Sequence, residues 1–487
     1  MDTSWVTAAI VVVAVLVDLT IRVIAITVIP QNRKPQTAAA WLLAIFLLPY
    51  VGILVFLLIG NTRLPKHRRE KQHEISEYIL ESTAGIERAN LERPVPSWLH
   101  SIVELNRTLG SMPLVGGNTA HLYTDSARSL AAMTDAVAGA TRYVHAEFYI
   151  LAFDRTSAPF FAALEAAVAR GVTVRVLLDH LASRRSPHYF RTLRRLRSAG
   201  VSWQLMLPVQ PFRGRYQRPD LRNHRKILVV DGTVAFTGSQ NIIDPSYNKR
   251  GNLRRGLRWK DLMVRFDGPV VAGINALFVT DWYSETNELL SRETELEHRS
   301  GGENLLDAQV VPSGPGFDLE NNLRLFNALL YSAQHRVIIT SPYFVPDDSM
   351  LYAITNAAFR GLDVQLFVSE IGDQPVVYHA QRSYYEALLR AGVRIWLYKT
   401  PIVLHAKHFT IDDNVAVIGS SNMDMRSFSL NFEISVMIHS EAFVTELRAV
   451  EQSYRDDSRE LLLEQWLERS LRSKVLDNAA RLTAAVQ

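Results

Sequence analysis

The sequence contains no cysteine, and that single absence removes disulfide frameworks, cysteine-ligated zinc and thiol nucleophiles from consideration. It fits a protein with no need of an oxidising compartment. Acidic residues are scarce in one region. Between Leu181 and Lys260, 18 Lys/Arg face three acids, Asp220, Asp231 and Asp244, although the net charge of the whole chain is only +4. Such one-sidedness suits a surface facing nucleic acid or a lipid headgroup layer, with a solvated arginine-rich face as the plain alternative. At 487 residues the chain is long enough for two to three domains and a large core.

What is present begins with apolar runs. "WVTAAIVVVAVLVDLTIRVIAITVI" (5–29) and "TAAAWLLAIFLLPYVGILVFLLIG" (37–60) are each long enough to span a bilayer as a helix, and the short connector "PQNRKPQ" makes them a helical hairpin. A cleaved signal peptide would carry a basic leader, whereas Asp2 is the only charged residue before the first run. Asp18 and Arg22, at i and i+4, share a helix face and can pair inside the first span. Arg63, Lys66, Arg68, Arg69 and Lys71 follow the second run, against Arg33 and Lys34 in the connector, so the expectation is a cytoplasmic body and N-terminus.

Beyond a charged, helical-looking connector the chain repeats itself. "TRYVHAEFYILAFD" (141–154) aligns without gaps on "HRVIITSPYFVPDD" (335–348); "ARGVTVRVLLD" (169–179) resembles "FRGLDVQLFVS" (359–369), and "AGVSW" (199–203) resembles "AGVRI" (391–395). Apolar strands alternating with helical stretches predict two α/β halves with mainly parallel sheets. The tail after Glu460 reads as helical.

Each half then carries the same constellation. "NHRKILVVDGTVAFTGSQN" (223–241) and "LHAKHFTIDDNVAVIGSSN" (404–422) match His224, Lys226, Asp231, Gly238, Ser239 and Asn241 to His405, Lys407, Asp412, Gly419, Ser420 and Asn422. One H-x-K-x4-D arises by accident in roughly a few per cent of chains this long; two, each followed by G-S-x-N, do not. Strand, Asp-Gly and strand predict a hairpin. Side chains at i and i+2 share a face, so each His and Lys point the same way. With Asp231-Gly232 and Asp412-Asp413 as two-residue loops, His224 lies opposite Ser239 and His405 opposite Ser420. Imidazole, ammonium, hydroxyl and carboxamide together suit a tetrahedral oxyanion, with the imidazole able to attack or to move protons. Two ammoniums beside two imidazoles repel a cation, and no H-x3-H or carboxylate-rich cluster accompanies them, so no metal is required.

The paired motif resembles the phospholipase D superfamily. With the N-terminal hairpin, "VVPSGPG" (310–316) and "SPYFVPDD" (341–348), the chain is most similar to the bacterial cardiolipin synthases within it, from the first span to about residue 460. The resemblance implies two tandem phospholipase D-like α/β halves: 1–62 two transmembrane helices, 63–112 connector, 113–300 first half, 301–487 second half with a C-terminal helix. It implies His224 as nucleophile and His405 as general acid and base. Lys226, Lys407, Asn241 and Asn422 would hold the phosphate, with Ser239 and Ser420 in support. The carboxylate that orients each imidazole corresponds to Asp261 after the first motif and Glu433 after the second, so that Glu433 favours the charged form of His405. Asp231 and Asp412 complete the motifs, and their place at turns suits bracing. The implied reaction transfers a phosphatidyl group between two phosphatidylglycerols, giving cardiolipin and glycerol, in the bacterial inner membrane, without metal or cofactor and without nucleic acid. Another alcohol or water as acceptor, and a membrane-anchored nuclease, are the alternatives.

Overall fold

The structure, a computed structural model, describes residues 4–31, 33, 35–60, 64–82, 95–290, 305–317 and 319–483. Lys34, Arg63 and the expected boundary at 300–301 lie outside them. The chain divides into two units, Met1–Arg63 with Arg218–Asp220, and the remainder.

In the first unit, α1 (Ser4–Val28) is, among the described residues, the one helix long and apolar enough to cross a membrane. Asp18 and Arg22 do pair within it, at 2.8 Å. The second apolar run is not the single span expected. It breaks at Leu48 into α2 (Pro35–Leu47) and α3 (Pro49–Ile59). Pro49 is the cause: its ring lacks an N–H and pushes the preceding residue out of the helical region, and Leu48 sits at φ −136°, ψ 73°. The chain then doubles back. Trp41 and Phe56 meet at 5.3 Å, edge to face, and a Cβ at Gly52 would lie 2.8 Å from the Ile45 Cα.

The second unit is built on one 16-stranded sheet among the described residues. In chain order its main strands are β1 (Leu114–Tyr123), β2 (Tyr143–Phe148), β3 (Thr173–Asp179), β4 (Ser202–Met206), β5 (Lys226–Val230), β6 (Val234–Gly238) and β7 (Met263–Asp267) from the first half. The second half supplies β8 (Leu306–Ser313), β9 (Arg336–Thr340), β10 (Asp363–Ser369), β11 (Arg394–Tyr398), β12 (His408–Ile411), β13 (Val415–Gly419), β14 (Asn431–His439) and β15 (Ser458–Leu461). Their spatial order is β15-β11-β10-β9-β12-β13-β14-β8-β1-β7-β6-β5-β2-β3-β4. The run β7-β6-β5-β2-β3-β4 in one half mirrors β14-β13-β12-β9-β10-β11 in the other. The two runs join through the antiparallel pair β1–β8. The internal repeat read from the sequence is therefore a structural duplication folded into one sheet.

That sheet is mixed. Along this order only the outer ladders β2–β3, β3–β4, β9–β10 and β10–β11 are parallel; the sixteenth strand, Arg222–Asn223, also pairs in parallel, with the start of β14. The inner ones are antiparallel, because each His-Lys segment enters as a hairpin and the halves meet head to tail. The connector folds as α4 (Lys66–Ser82) and α5 (Ser97–Gly110). Leu99, Ile102 and Val103 of α5 are buried in one cluster with Leu325, Phe326 and Leu329 of the second half. On α4, Arg68 is buried and donates two 2.9 Å hydrogen bonds to Glu285, near the end of α6 (Val270–Thr286). One member of the basic cluster thus serves the packing of the body itself. The tail after Glu460 forms short helices at Leu463–Leu467 and Leu471–Arg481.

The hairpin register differs from the sequence expectation. Val230 pairs with Val234 and Ile411 with Val415, so the loops hold three residues, not two. Asp231 and Asp412 take left-handed conformations, φ 54° and 50°, and turn their carboxylates back onto the sheet. Asp231 accepts from the backbone N–H groups of Thr141, Arg142 and Tyr143 at 2.7–2.8 Å. Asp412 accepts from Gln334, His335 and Arg336 at 2.7–3.0 Å. Satisfying three backbone donors at the start of β2 and β9 outweighs the local preference for a tighter turn. The extra residue shifts the opposition by one, so Ser239 and Ser420 do not face the histidines as expected.

Candidate active site

His224 lies two residues before β5 and His405 three before β12, and what holds each there comes from the other half. The short strand Arg222–Asn223 runs parallel to Asn431–Phe432, and the His224 N–H donates to the Phe432 carbonyl at 2.9 Å. Likewise Arg258–Lys260 runs parallel to Ile402–Leu404, and the His405 N–H donates to the Lys260 carbonyl at 2.8 Å. The residue after each of those carbonyl-bearing positions is a carboxylate. His224 Nδ1 is therefore 3.0 Å from both Glu433 oxygens, and His405 Nδ1 is 2.6 Å from Asp261 Oδ1. The orienting carboxylates are crossed between halves. This corrects the expectation that Glu433 neighbours His405; lead-in strands paired across the halves are the physical reason.

The serines complete the crossing. Ser239 Oγ donates to Asp261 Oδ1 at 2.8 Å and accepts from the Leu262 N–H at 2.9 Å. Ser420 Oγ donates to Glu433 Oε2 at 2.5 Å and accepts from the Ile434 N–H at 3.0 Å. Each hydroxyl thus fixes a carboxylate that fixes the opposite imidazole. The glycine before each serine is required by closeness. A Cβ at Gly238 would stand 2.3 Å from the Leu262 carbonyl oxygen, and one at Gly419 2.1 Å from that of Ile434.

Lys226 and Lys407 lie buried beside their histidines, Nζ donating to the His224 carbonyl at 2.5 Å and the His405 carbonyl at 2.8 Å. Burial, then the charge of Lys407, pushes the Lys226 ammonium well below its ordinary range. Burial brings Lys407 down to about 8. Burial and the two ammoniums hold His224 well below the usual imidazole value. His405 is lowered to about 4 by burial and Lys407, with Asp261 opposing. The carboxylates diverge. Burial raises Glu433 to about 7. Burial also pushes on Asp261, but His405, Lys407 and Ser239 outweigh it and hold this acid below its usual value. An imidazole whose Nδ1–H faces a carboxylate keeps the Nε2 lone pair for chemistry. Two neutral imidazoles between two cations make a site for a phosphodiester anion, one to attack phosphorus and one to handle the leaving proton.

The asparagines are not equivalent. Asn241 Oδ1 accepts from the Ile150 N–H at 3.0 Å and its Nδ2 donates to the Tyr247 hydroxyl at 2.8 Å. Among the described residues the buried Asn422 Oδ1 finds no hydrogen-bond partner. Asp231 and Asp412 stand apart from the reacting groups, at the far end of strands β5 and β12, ~16 Å from the lysines at about 3.3 Å per residue. Their role is to brace the sheet. Sequence reasoning missed Tyr149, whose ring stands edge-on to His224 at 4.8 Å with the Lys226 ammonium 5.2 Å from its centre. The gapless repeat pairs it with Tyr343, and that identity was the available signal. Among the described residues, no group of three or more His, Asp or Glu stands together as metal ligands would.

The basic stretch does not form one surface. Arg222 pairs with Asp179 at 3.0 Å and Arg225 with Asp281, all buried. Arg184, Arg197 and Arg213 instead line a groove with Tyr189, Phe190 and Phe212, the two phenylalanines being exposed.

Residues 133–266 and 326–453 match the family model described as cardiolipin synthase, PLD-like domain, and residues 9–61 match the phospholipase D-nuclease N-terminal model. The chain is 32% identical over 463 residues to cardiolipin synthase A of Proteus mirabilis, covering 92% of both chains. It is 33% identical to cardiolipin synthase A of Pectobacterium carotovorum, covering 94% of both. In fold it resembles the phosphatidylserine synthase of Haemophilus influenzae, with TM-score 0.59, 14% identity, and 80% of this chain and 100% of that one covered.

Proposed function

The chain belongs to the phospholipase D-like cardiolipin synthase family, and we propose on that basis that it moves a phosphatidyl group from one phosphatidylglycerol to another, forming cardiolipin and releasing glycerol. The observation that carries the reading is the pair of crossed His–carboxylate contacts around two buried lysines. His405 takes up a proton at Nε2 as the phosphodiester anion enters; His224 Nε2 then attacks phosphorus and the bond to the glycerol headgroup oxygen breaks, with the His405 imidazolium giving that oxygen its proton. The glycerol hydroxyl of the second phosphatidylglycerol then attacks the phosphohistidine, passing its proton to His405 and freeing His224. Lys226 and Lys407 balance the phosphate charge.

The carboxylates support this division of roles. A carboxylate that stays ionised favours the imidazolium that an acid must be, and Asp261 is the one held low. Glu433, raised to about 7, supports a positive charge on His224 less and suits a neutral nucleophile. His405 thus remains the acid of the scheme, by way of Asp261 rather than Glu433. The apolar first unit supports membrane association, and the basic residues after its second apolar run favour a cytoplasmic body. The exposed Phe190 and Phe212 beside Arg184, Arg197 and Arg213 suit anionic headgroups.

The test is purified protein incubated with phosphatidylglycerol alone and resolved by thin-layer chromatography. Cardiolipin and glycerol should appear in equal amounts. Phosphatidic acid in their place would make the protein a hydrolase, and product only on adding another alcohol would change the acceptor.

A further inference from the structure

We propose that α2 and α3 form a re-entrant hairpin in the acyl layer of one leaflet, so that the N-terminus lies across the membrane from the catalytic body. The proposal rests on the reading that this unit is embedded in a bilayer. Arg33 marks where three helix ends converge. Its guanidinium donates to the Ile29 carbonyl at the end of α1 at 2.7 Å and to the Gly60 carbonyl at the end of α3 at 3.1 Å. Arg33 itself stands just before α2. Had the second run crossed the membrane, Arg33 and Gly60 would stand ~40 Å apart at about 1.5 Å per residue. They touch instead, and Arg33 also lies 4.9 Å over the Phe56 ring.

The lengths fit half a bilayer. With 13 and 11 residues, α2 and α3 rise ~20 Å and ~16 Å, against a hydrocarbon core of about 30 Å. Lipid tolerates a turn only where its backbone groups find partners. Here the Leu48 N–H donates to Ala44 at 3.0 Å, the Gly52 N–H donates to Leu48 at 2.6 Å, and Pro49 has no N–H to satisfy. Leu43, Leu47, Leu48, Leu54, Leu57 and Leu58 are all exposed, a surface whose fitting partner is acyl chain. Near its tip the hairpin packs against the C-terminal third of α1: Arg22, paired with Asp18, lies 5.2 Å over the ring of Phe46, two residues before the break. With α1 crossing once and the hairpin returning to the side it left, the chain emerges opposite its own N-terminus.

The cysteine-free sequence makes single-cysteine labelling direct. Ser4→Cys, Gln31→Cys and Leu482→Cys would be made separately in the full chain. Each is then treated with a membrane-impermeant maleimide in intact cells and in inverted vesicles. Gln31→Cys and Leu482→Cys should label from one side, and Ser4→Cys only from the other. If Ser4→Cys labels with Leu482→Cys while Gln31→Cys labels from the opposite side, the second run is a full span and the proposal is overturned. Labelling of all three from one side overturns it as well, because α1 then does not cross. Cardiolipin formation, assayed on the same variants, reads the catalytic proposal separately, since none of these positions lies in the active site.

Discussion

The two halves of the body share a strand order and a motif, yet they support their histidines with different materials. Asp179 and Ser369 occupy equivalent positions at the ends of β3 and β10, and both accept the N–H of the residue preceding a catalytic histidine. Asp179 takes it from Asn223 at 2.9 Å, and Ser369 from Leu404 at 2.8 Å. In the first half this contact belongs to a buried charged network. Asp179 pairs with Arg222, Asn223 donates to Glu147 at 2.7 Å, and Arg225 reaches the Glu433 carbonyl at 3.1 Å and the Asp281 carboxylate. In the second half Leu404 and Ala406 stand where Asn223 and Arg225 stand, inside an apolar cluster. The crossed histidine–carboxylate–serine arrangement is shared while the support behind it is not. Duplication fixed what the phosphate meets and left the layer behind free to diverge.

The comparison breaks most sharply at the histidines. Either His→Ala change should lower cardiolipin formation by at least ~10²–10⁴-fold, the usual worth of a proton-transfer group. The variants should separate on a nitrophenyl phosphodiester, whose leaving group needs no proton. His405→Ala should still trap a phosphatidyl adduct on the peptide around His224, and His224→Ala should trap none. An adduct on the peptide around His405 in the His224→Ala protein would exchange the roles.

The crossing itself is tested one step outward. Asp261→Asn should behave as a weaker His405→Ala, slowing turnover by ~10²-fold yet recovering on the activated ester, because it removes the negative charge that supports the acid. Glu433→Gln should slow both substrates alike by misplacing the nucleophile. The reverse pattern would show that each carboxylate serves the histidine of its own half.

The smallest effect concerns stability. Asp179→Ala leaves Arg222 buried without its ion pair and should cost ~3–5 kcal/mol in denaturant unfolding. Ser369→Ala, losing a neutral contact, should cost about 1 kcal/mol. Equal losses would mean that the two supports are energetically interchangeable.

Much of this site was legible in the sequence. The paired motif gave both histidines and both lysines, and the resemblance named Asp261 and Glu433 but gave each to the histidine of its own half, whereas each meets the histidine of the other. Which carboxylate meets which histidine was not legible, because pairing between Asn223 and Phe432, or Lys260 and Leu404, joins segments far apart in the chain and leaves no local pattern. The three-residue turn was missed for a similar reason: what selects it is three N–H groups near residue 142, distant from Asp231 in sequence. The broken second span was within reach. Hydropathy sees only apolar length, but Pro49 in the middle of the run and Gly52 beside it are a breaker and a site of close approach.

The crossed carboxylates also set when the enzyme becomes active during its own synthesis. A ribosome that has delivered the whole first half has exposed His224 and Lys226, but the strand carrying Glu433 is among the last to emerge. Until β14 settles against Arg222–Asn223, His224 has no orienting partner, and His405 arrives only shortly before it. A chain that lacks β14 therefore leaves the His224 imidazole without the carboxylate it meets in the folded protein. The His405–Asp261 contact can form first and the His224–Glu433 contact last, both only once the second half has been made.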